Sequence, residues 1–173
     1  MRRILIIGPL GAGKSTLAVA LGRQLGVPVH HLDSLYWGPD WTPTPAEEWK
    51  ALLDRLVGGP SWIIDGNFTS SLSQRLEAAD TVIYLDVSPL TCTIRALRRR
   101  ALYRWRRAPG MLVDSRPMFN AQLFRWIWAF PNDSRPLLFE LLAPPPVAEK
   151  TVILRNRRQV KRFVQSVGES ESV

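Results

Sequence analysis

A chain of 173 residues is long enough to bury one domain-sized core and leaves little room for a second. Its 46% hydrophobic residues include no apolar run near the roughly 18 needed to span a bilayer, and the run Ile4 to Ile7 is too short for an export signal. Cys92, the single cysteine, excludes an intrachain disulfide and a thiolate metal cage, so a cytoplasmic protein is expected, and the net charge of +8, from 19 arginines against four lysines, points to anionic partners.

Short apolar or β-branched runs alternate with longer stretches of helical spacing. The first strand is RILII (3 to 7), followed by a helix over Lys14 to Leu25; the second is VPVHHL (27 to 32). WGPDWTPTP (37 to 45) is rich in turn formers, and its last proline is placed to open a helix over Ala46 to Val57. SWIID (61 to 65) precedes a helix over Ser71 to Ala78, and TVIYLD (81 to 86) a helix over Leu90 to Trp105. Residues 106 to 146 exceed an ordinary crossover and read as a lid insertion, with a helix over 118 to 130 between Pro117 and Pro131. TVILR (151 to 155) is the last strand, Gln159 to Val167 a closing helix and GESESV a frayed tail. This alternation implies a mostly parallel, doubly covered sheet with ligands at the carboxyl ends of its strands.

Gly8-Pro9-Leu10-Gly11-Ala12-Gly13-Lys14-Ser15 matches G-x-x-x-x-G-K-[ST], with a strand before it and a helix after it. The glycines let successive N–H groups surround a phosphate, and the helix start adds positive dipole. Gly8, Gly11, Ala12 and Gly13 therefore form the cradle, Lys14 reaches the β- and γ-phosphates, Ser15 ligates Mg²⁺, and Thr16 lies in the same turn. A second Mg²⁺ ligand is sought at a strand end. Asp65 opens the loop DGNF, whereas Asp86 leads straight into a proline-started helix that it is placed to cap, so Asp65 is favoured. Asp33, closing the second strand at the same sheet edge, is placed to orient or deprotonate an acceptor hydroxyl, and a turn cap is its structural alternative. Of His30 and His31, neighbours on a strand, one must face inward and is read as a core histidine, and neither is given a part in the chemistry.

In order, the phosphate loop, HLDSLYW, WIIDGNF, RLEAADTVIYLD, an Arg-rich helix and the ending LRNRRQVKRFV resemble the bacterial topology-modulation proteins, relatives of adenylate kinase, over nearly the whole chain. The resemblance implies a P-loop NTPase fold of α/β class: three α/β/α layers, a five-stranded parallel sheet in the order 2-3-1-4-5, and a helical lid. It implies a single domain over 1–173, an acceptor-binding segment at about 33–57, a lid at about 106–146, and ATP and Mg²⁺ as cofactors. Asp65 then supports the metal, and Gly66 with Asn67 lets the acceptor approach. Arg95 and Arg99, with Arg98 as the neighbour that a slightly shifted alignment brings in, resemble lid arginines that contact ATP and stabilise the transferring phosphoryl group, and Asn156 falls where relatives line the adenine pocket.

The chain departs from adenylate kinase at the acceptor. No arginine occurs between Arg23 and Arg55, and a Gly-Phe-Pro-Arg sequence is replaced by Gly66-Asn67-Phe68-Thr69. Arg75 on the next helix is the expected substitute, with Arg116, Arg125 and Arg135 on the insertion as further candidates. Trp37 and Trp41, with Tyr36 and Phe68, are placed to stack a base or enclose a sugar, and their alternative is ordinary packing.

Two functions follow. The first is a phosphotransferase moving the ATP γ-phosphate to a nucleotide or another small hydroxyl or phosphate acceptor. The alternative is an ATP-dependent nucleic-acid-binding regulator affecting DNA topology, with RALRRRALYRWRR (95 to 107) along a phosphate backbone, although Leu102 interrupts its arginine stripe. A partner-switching ATPase requires a water-activating residue that the sequence does not show.

Overall fold

Alternate residues of the first strand face opposite layers, and this sorts the core. In β1 (Arg3–Ile7), Ile4 and Ile6 join one apolar cluster while Leu5 and Ile7 join another, and all four are fully buried. The computed structural model describes residues 1–38, 41–103 and 121–171. The remaining strands are β2 (Val29–His31), β3 (Trp62–Asp65), β4 (Thr81–Leu85) and β5 (Thr151–Leu154). Every pairing is parallel and the order is β2-β3-β1-β4-β5, as the resemblance implies.

Helices cover both faces. The cluster containing Ile4 and Ile6 takes residues from α1 (Lys14–Leu25), α5 (Pro89–Tyr103), α6 (Ala121–Asp133) and α9 (Arg157–Glu171). The opposite cluster takes them from α2 (Leu32–Tyr36), α3 (Ala46–Val57), α4 (Leu72–Ala78) and α7 (Arg135–Leu142), while α8 (Pro145–Ala148) leads into β5. No helix among the described residues is long and apolar enough to cross a membrane.

Three expectations need correction. The second strand ends at His31, so Asp33 lies in the first turn of α2 instead of at a strand end. Helix α6 runs through Pro131, which was expected to stop it. Burial of Leu123 and Ile127 and the Ser134 N–H bond to the Phe130 carbonyl at 3.1 Å hold that turn despite the roughly 3 kcal/mol cost of an interior proline. The polar tail continues α9 to Glu171, with Val167 anchoring that end of the helix in the core.

The described part of the insertion belongs to the body. Helix α6 buries Leu123 and Ile127 on one face of the sheet, and α7 buries Leu138 and Leu142 on the other. The lid reading for residues 106–120, with Arg116, lies outside the described residues.

Asp86 ties these layers together at the end of β4. Arg135 grips it with two bonds, Nε to Oδ1 at 3.0 Å and a terminal nitrogen to Oδ2 at 3.1 Å, and Arg155 stands 3.5 Å away. The Arg135 bonds above all hold the Asp86 carboxyl below its ordinary value. A carboxyl whose pKa is depressed on folding stabilises the fold above its unfolded value, and that contribution disappears as pH falls through the folded value. Asp86→Asn is expected to cost about 1–2 kcal/mol near neutral pH, a partly exposed charge-assisted pair being worth less than a buried one. Thermal melts from pH 7 down to pH 3 should show the deficit shrinking on acidification.

Candidate active site

The loop between β1 and α1 takes the form that its glycines permit. Gly8, Gly11 and Gly13 have φ of +144°, +83° and +100°. A Cβ on Gly11 would stand 2.7 Å from the Cys92 carbonyl oxygen, and one on Gly8 2.6 Å from that of Leu85. Positive φ and the clash act together, so Gly11→Ala is expected to cost about 1–3 kcal/mol of stability and to weaken nucleotide binding. Melting curves and nucleotide titration of the variant check both effects.

Lys14 folds back over this loop. Its Nζ donates to the carbonyls of Gly8 at 2.9 Å and Pro9 at 3.2 Å. Burial pulls its pKa below the ordinary lysine value, opposed by the charges of Asp33 and Asp65. Ala12 is buried, and its carbonyl accepts a 2.6 Å bond from an Arg95 terminal nitrogen. Arg95 thereby braces the loop from α5, turned inward and away from any outer stripe. Arg99, one turn on, is exposed, and its charge acts on both Lys14 and Asp33.

Between the two carboxylates weighed from sequence, Asp65 is the one at the loop. It is only 4% exposed, and its Oδ2 accepts the Ser15 hydroxyl at 2.7 Å. A hydroxyl and a buried carboxylate in contact fit the donor set of an octahedral Mg²⁺ site completed by water and phosphate oxygens. Its other oxygen meets His31 Nδ1 at 2.6 Å. That hydrogen bond, more than the nearby Asp65 and Asp33 charges, raises the His31 pKa against the effect of burial. His31 is thus no core histidine but a group that orients Asp65. The signal is register, because β2 and β3 place His31 beside Asp65, and a single sequence does not encode register.

Asp33 is open to water at the cleft, yet the protein around it strips enough solvent to raise its carboxyl pKa. The Lys14 charge opposes this rise and Asp65 adds to it. Aromatic rings gather in the segment that follows Asp33 and around Phe68. Tyr36 makes edge-on contacts with Trp37, Trp49 and Phe68 at centroid distances of 4.8, 5.0 and 5.0 Å, and Trp41 lies 5.9 Å from Trp37. Trp49 is buried on α3, while Trp37 and Trp41 are half-exposed at the edge of the cluster. Asn67, in the loop after β3, accepts the Gly8 N–H through Oδ1 at 3.0 Å and so links that loop to the phosphate loop.

Two expected residues are placed otherwise. Arg75 is fully buried with its donors on backbone carbonyls, so its side chain does not reach the cleft as an acceptor clamp. The Asn156 side chain caps α9 by accepting the Gln159 N–H at 3.0 Å, and its carbonyl accepts the Val160 N–H at 3.1 Å. Arg135 is held on Asp86, Arg125 is exposed on α6, and Thr16 is exposed at the start of α1. A cavity of about 270 Å³ at the end of β4, lined by Pro9, Asp86, Ile127, Phe130 and Arg135, holds none of the groups placed to act on phosphate.

No protein-family model matches the chain, and no curated protein does. Solved structures do. A shikimate kinase from Bacteroides thetaiotaomicron superposes with a TM-score of 0.57 at 20% identity, covering 99% of each chain. A gluconokinase from Sinorhizobium meliloti 1021 gives 0.54 at 17% identity, covering 99% of this chain and 95% of its own. A shikimate kinase from Acinetobacter baumannii in complex with shikimate gives 0.57 at 16% identity, covering 99% and 93%. At these identities the likeness is one of fold alone: a five-stranded parallel sheet in the order 2-3-1-4-5 flanked by helices, as in shikimate kinase.

Proposed function

We propose that this protein transfers the γ-phosphoryl group of ATP to a hydroxyl or phosphate oxygen of a nucleotide or other small acceptor. The observation that carries this reading is the 2.7 Å contact of Ser15 with Asp65, which joins the phosphate loop to a β3 carboxylate beside Lys14. Further support comes from the fold neighbours, which are named as kinases of small molecules. The finer resemblance to topology-modulation proteins belongs to the same reading.

In the proposed reaction, the loop amides and Lys14 hold the triphosphate, with Lys14 leaving the Gly8 and Pro9 carbonyls for phosphate oxygens. Magnesium, when held by Ser15 and Asp65, supplies neutralisation of phosphate charge. Asp33 accepts the proton of the attacking hydroxyl, the bond from acceptor oxygen to γ-phosphorus forms, and the bond to the bridging oxygen breaks to release ADP. Arg99 stabilises charge on the transferring group while Arg95 keeps the loop in shape. Trp37 and Trp41 contact the acceptor.

Incubation with Mg-ATP and a panel of nucleoside monophosphates, nucleosides and small polyols, followed by mass spectrometry, tests this reading. One acceptor should gain a phosphoryl group, while a panel without any phosphorylated product, in the presence of tight ATP binding, contradicts it.

A further inference from the structure

Arg75 is fully buried, and among the described residues no carboxylate pairs with it. Its partners are carbonyls: Ser71 to Nε at 3.2 Å, Gly66 to one terminal nitrogen at 2.8 Å, and Asn67 and Phe68 to the other at 2.6 and 2.7 Å. Burial lowers its pKa to about 10, which still leaves it cationic at neutral pH. A buried cation without a counter-charge is costly, and helix packing alone does not call for one.

Its effect is to line up three successive peptides. None of the peptide bonds is cis, so the N–H that follows each carbonyl points the opposite way. With the carbonyls of Gly66, Asn67 and Phe68 drawn onto the guanidinium, the N–H groups of Asn67, Phe68 and Thr69 face away from it. Among the described residues no hydrogen bond engages these three groups. The same loop meets Gly8 through Asn67 and the aromatic cluster through Phe68. The aligned dipoles therefore pass the Arg75 charge through the backbone toward the acceptor side.

We propose that the backbone N–H groups of Asn67, Phe68 and Thr69, aligned by the buried Arg75 guanidinium, bind an oxyanion of the acceptor, a phosphate or a carboxylate. Arg75 is then a positioning residue, and the loop does the work of the arginine clamp that the sequence lacks. The inference rests on the phosphotransferase reading and goes beyond it by naming the acceptor group and its site.

The test uses ¹⁵N-labelled full-length protein saturated with the magnesium complex of a non-hydrolysable ATP analogue, then titrated separately with inorganic phosphate, malonate and ribose. The analogue should shift the amides of Gly11 to Ser15; if it does not, the phosphotransferase reading falls and this inference falls with it. With that shift present, saturable shifts at Asn67, Phe68 and Thr69 are expected, and a response to phosphate alone or malonate alone names the acceptor group. Shifts with ribose only, or none at these amides, overturn the inference while leaving the phosphotransferase reading standing. In Arg75→Lys, whose ammonium cannot span three carbonyls, oxyanion affinity should fall at least tenfold with the Gly11 to Ser15 response retained. A lowered melting temperature with unchanged oxyanion affinity assigns Arg75 to stability alone and overturns its positioning role. The wild-type titration decides the site even where the variant does not fold.

Discussion

Lys14→Met is expected to lower phosphoryl transfer by roughly 10³-fold or more while leaving the fold intact, because it removes a preorganised cation from the transferring phosphoryl group. Among the described residues Lys14 bonds the Gly8 and Pro9 carbonyls, and burial opposes its charge. An apolar side chain of similar length removes that desolvation cost, so the variant should melt at or above the wild-type temperature. Steady-state rates beside melting curves check this. A loss of activity accompanied by a large fall in melting temperature contradicts a direct role.

The second large effect is at Asp33. Asp33→Asn keeps the shape and removes the proton acceptor, so the turnover rate is expected to fall by about 10²- to 10⁴-fold. Partial loss of solvent around the Asp33 carboxyl raises its pKa, and only the ionised form takes a proton. The wild-type rate should therefore fall as pH drops through a value above the ordinary carboxylate range, and the residual rate of the variant should lack that limb. The sign for stability is opposite. A carboxyl whose pKa is raised on folding destabilises the fold once ionised, so Asp33→Asn should be neutral or stabilising at pH 7. A turn-capping Asp33 predicts the reverse, with a lower melting temperature and an unchanged pH profile.

What the sequence revealed and what it hid divide along physical lines. The phosphate loop was legible because Gly11 and Gly13 need positive φ and Lys14 and Ser15 must follow at fixed spacing, all of it local chemistry. The strands were legible from apolar runs, and the place of Asp65 beside Ser15 from the loop that it opens. The pairing of His31 with Asp65 was hidden because it depends on register between two strands. Burial of Arg75 was hidden because a cation on a short helix reads as a surface group until three carbonyls are seen to converge on it. Helix α6 passes Pro131 because tertiary burial of Ile127 outweighs a local breaker. The Tyr36, Trp49 and Phe68 cluster shows that rings expected around an acceptor also pack on one another, with Trp37 and Trp41 left at the edge.

In the proposed reaction the γ-phosphate goes to an acceptor and not to water. Following ³²P from γ-labelled Mg-ATP, with the acceptor panel present and absent, measures that partition. One acceptor should take most of the label, release of inorganic phosphate should be slow without it, and both routes should vanish in Lys14→Met. Label appearing only as inorganic phosphate, at a rate that no acceptor changes, would contradict it.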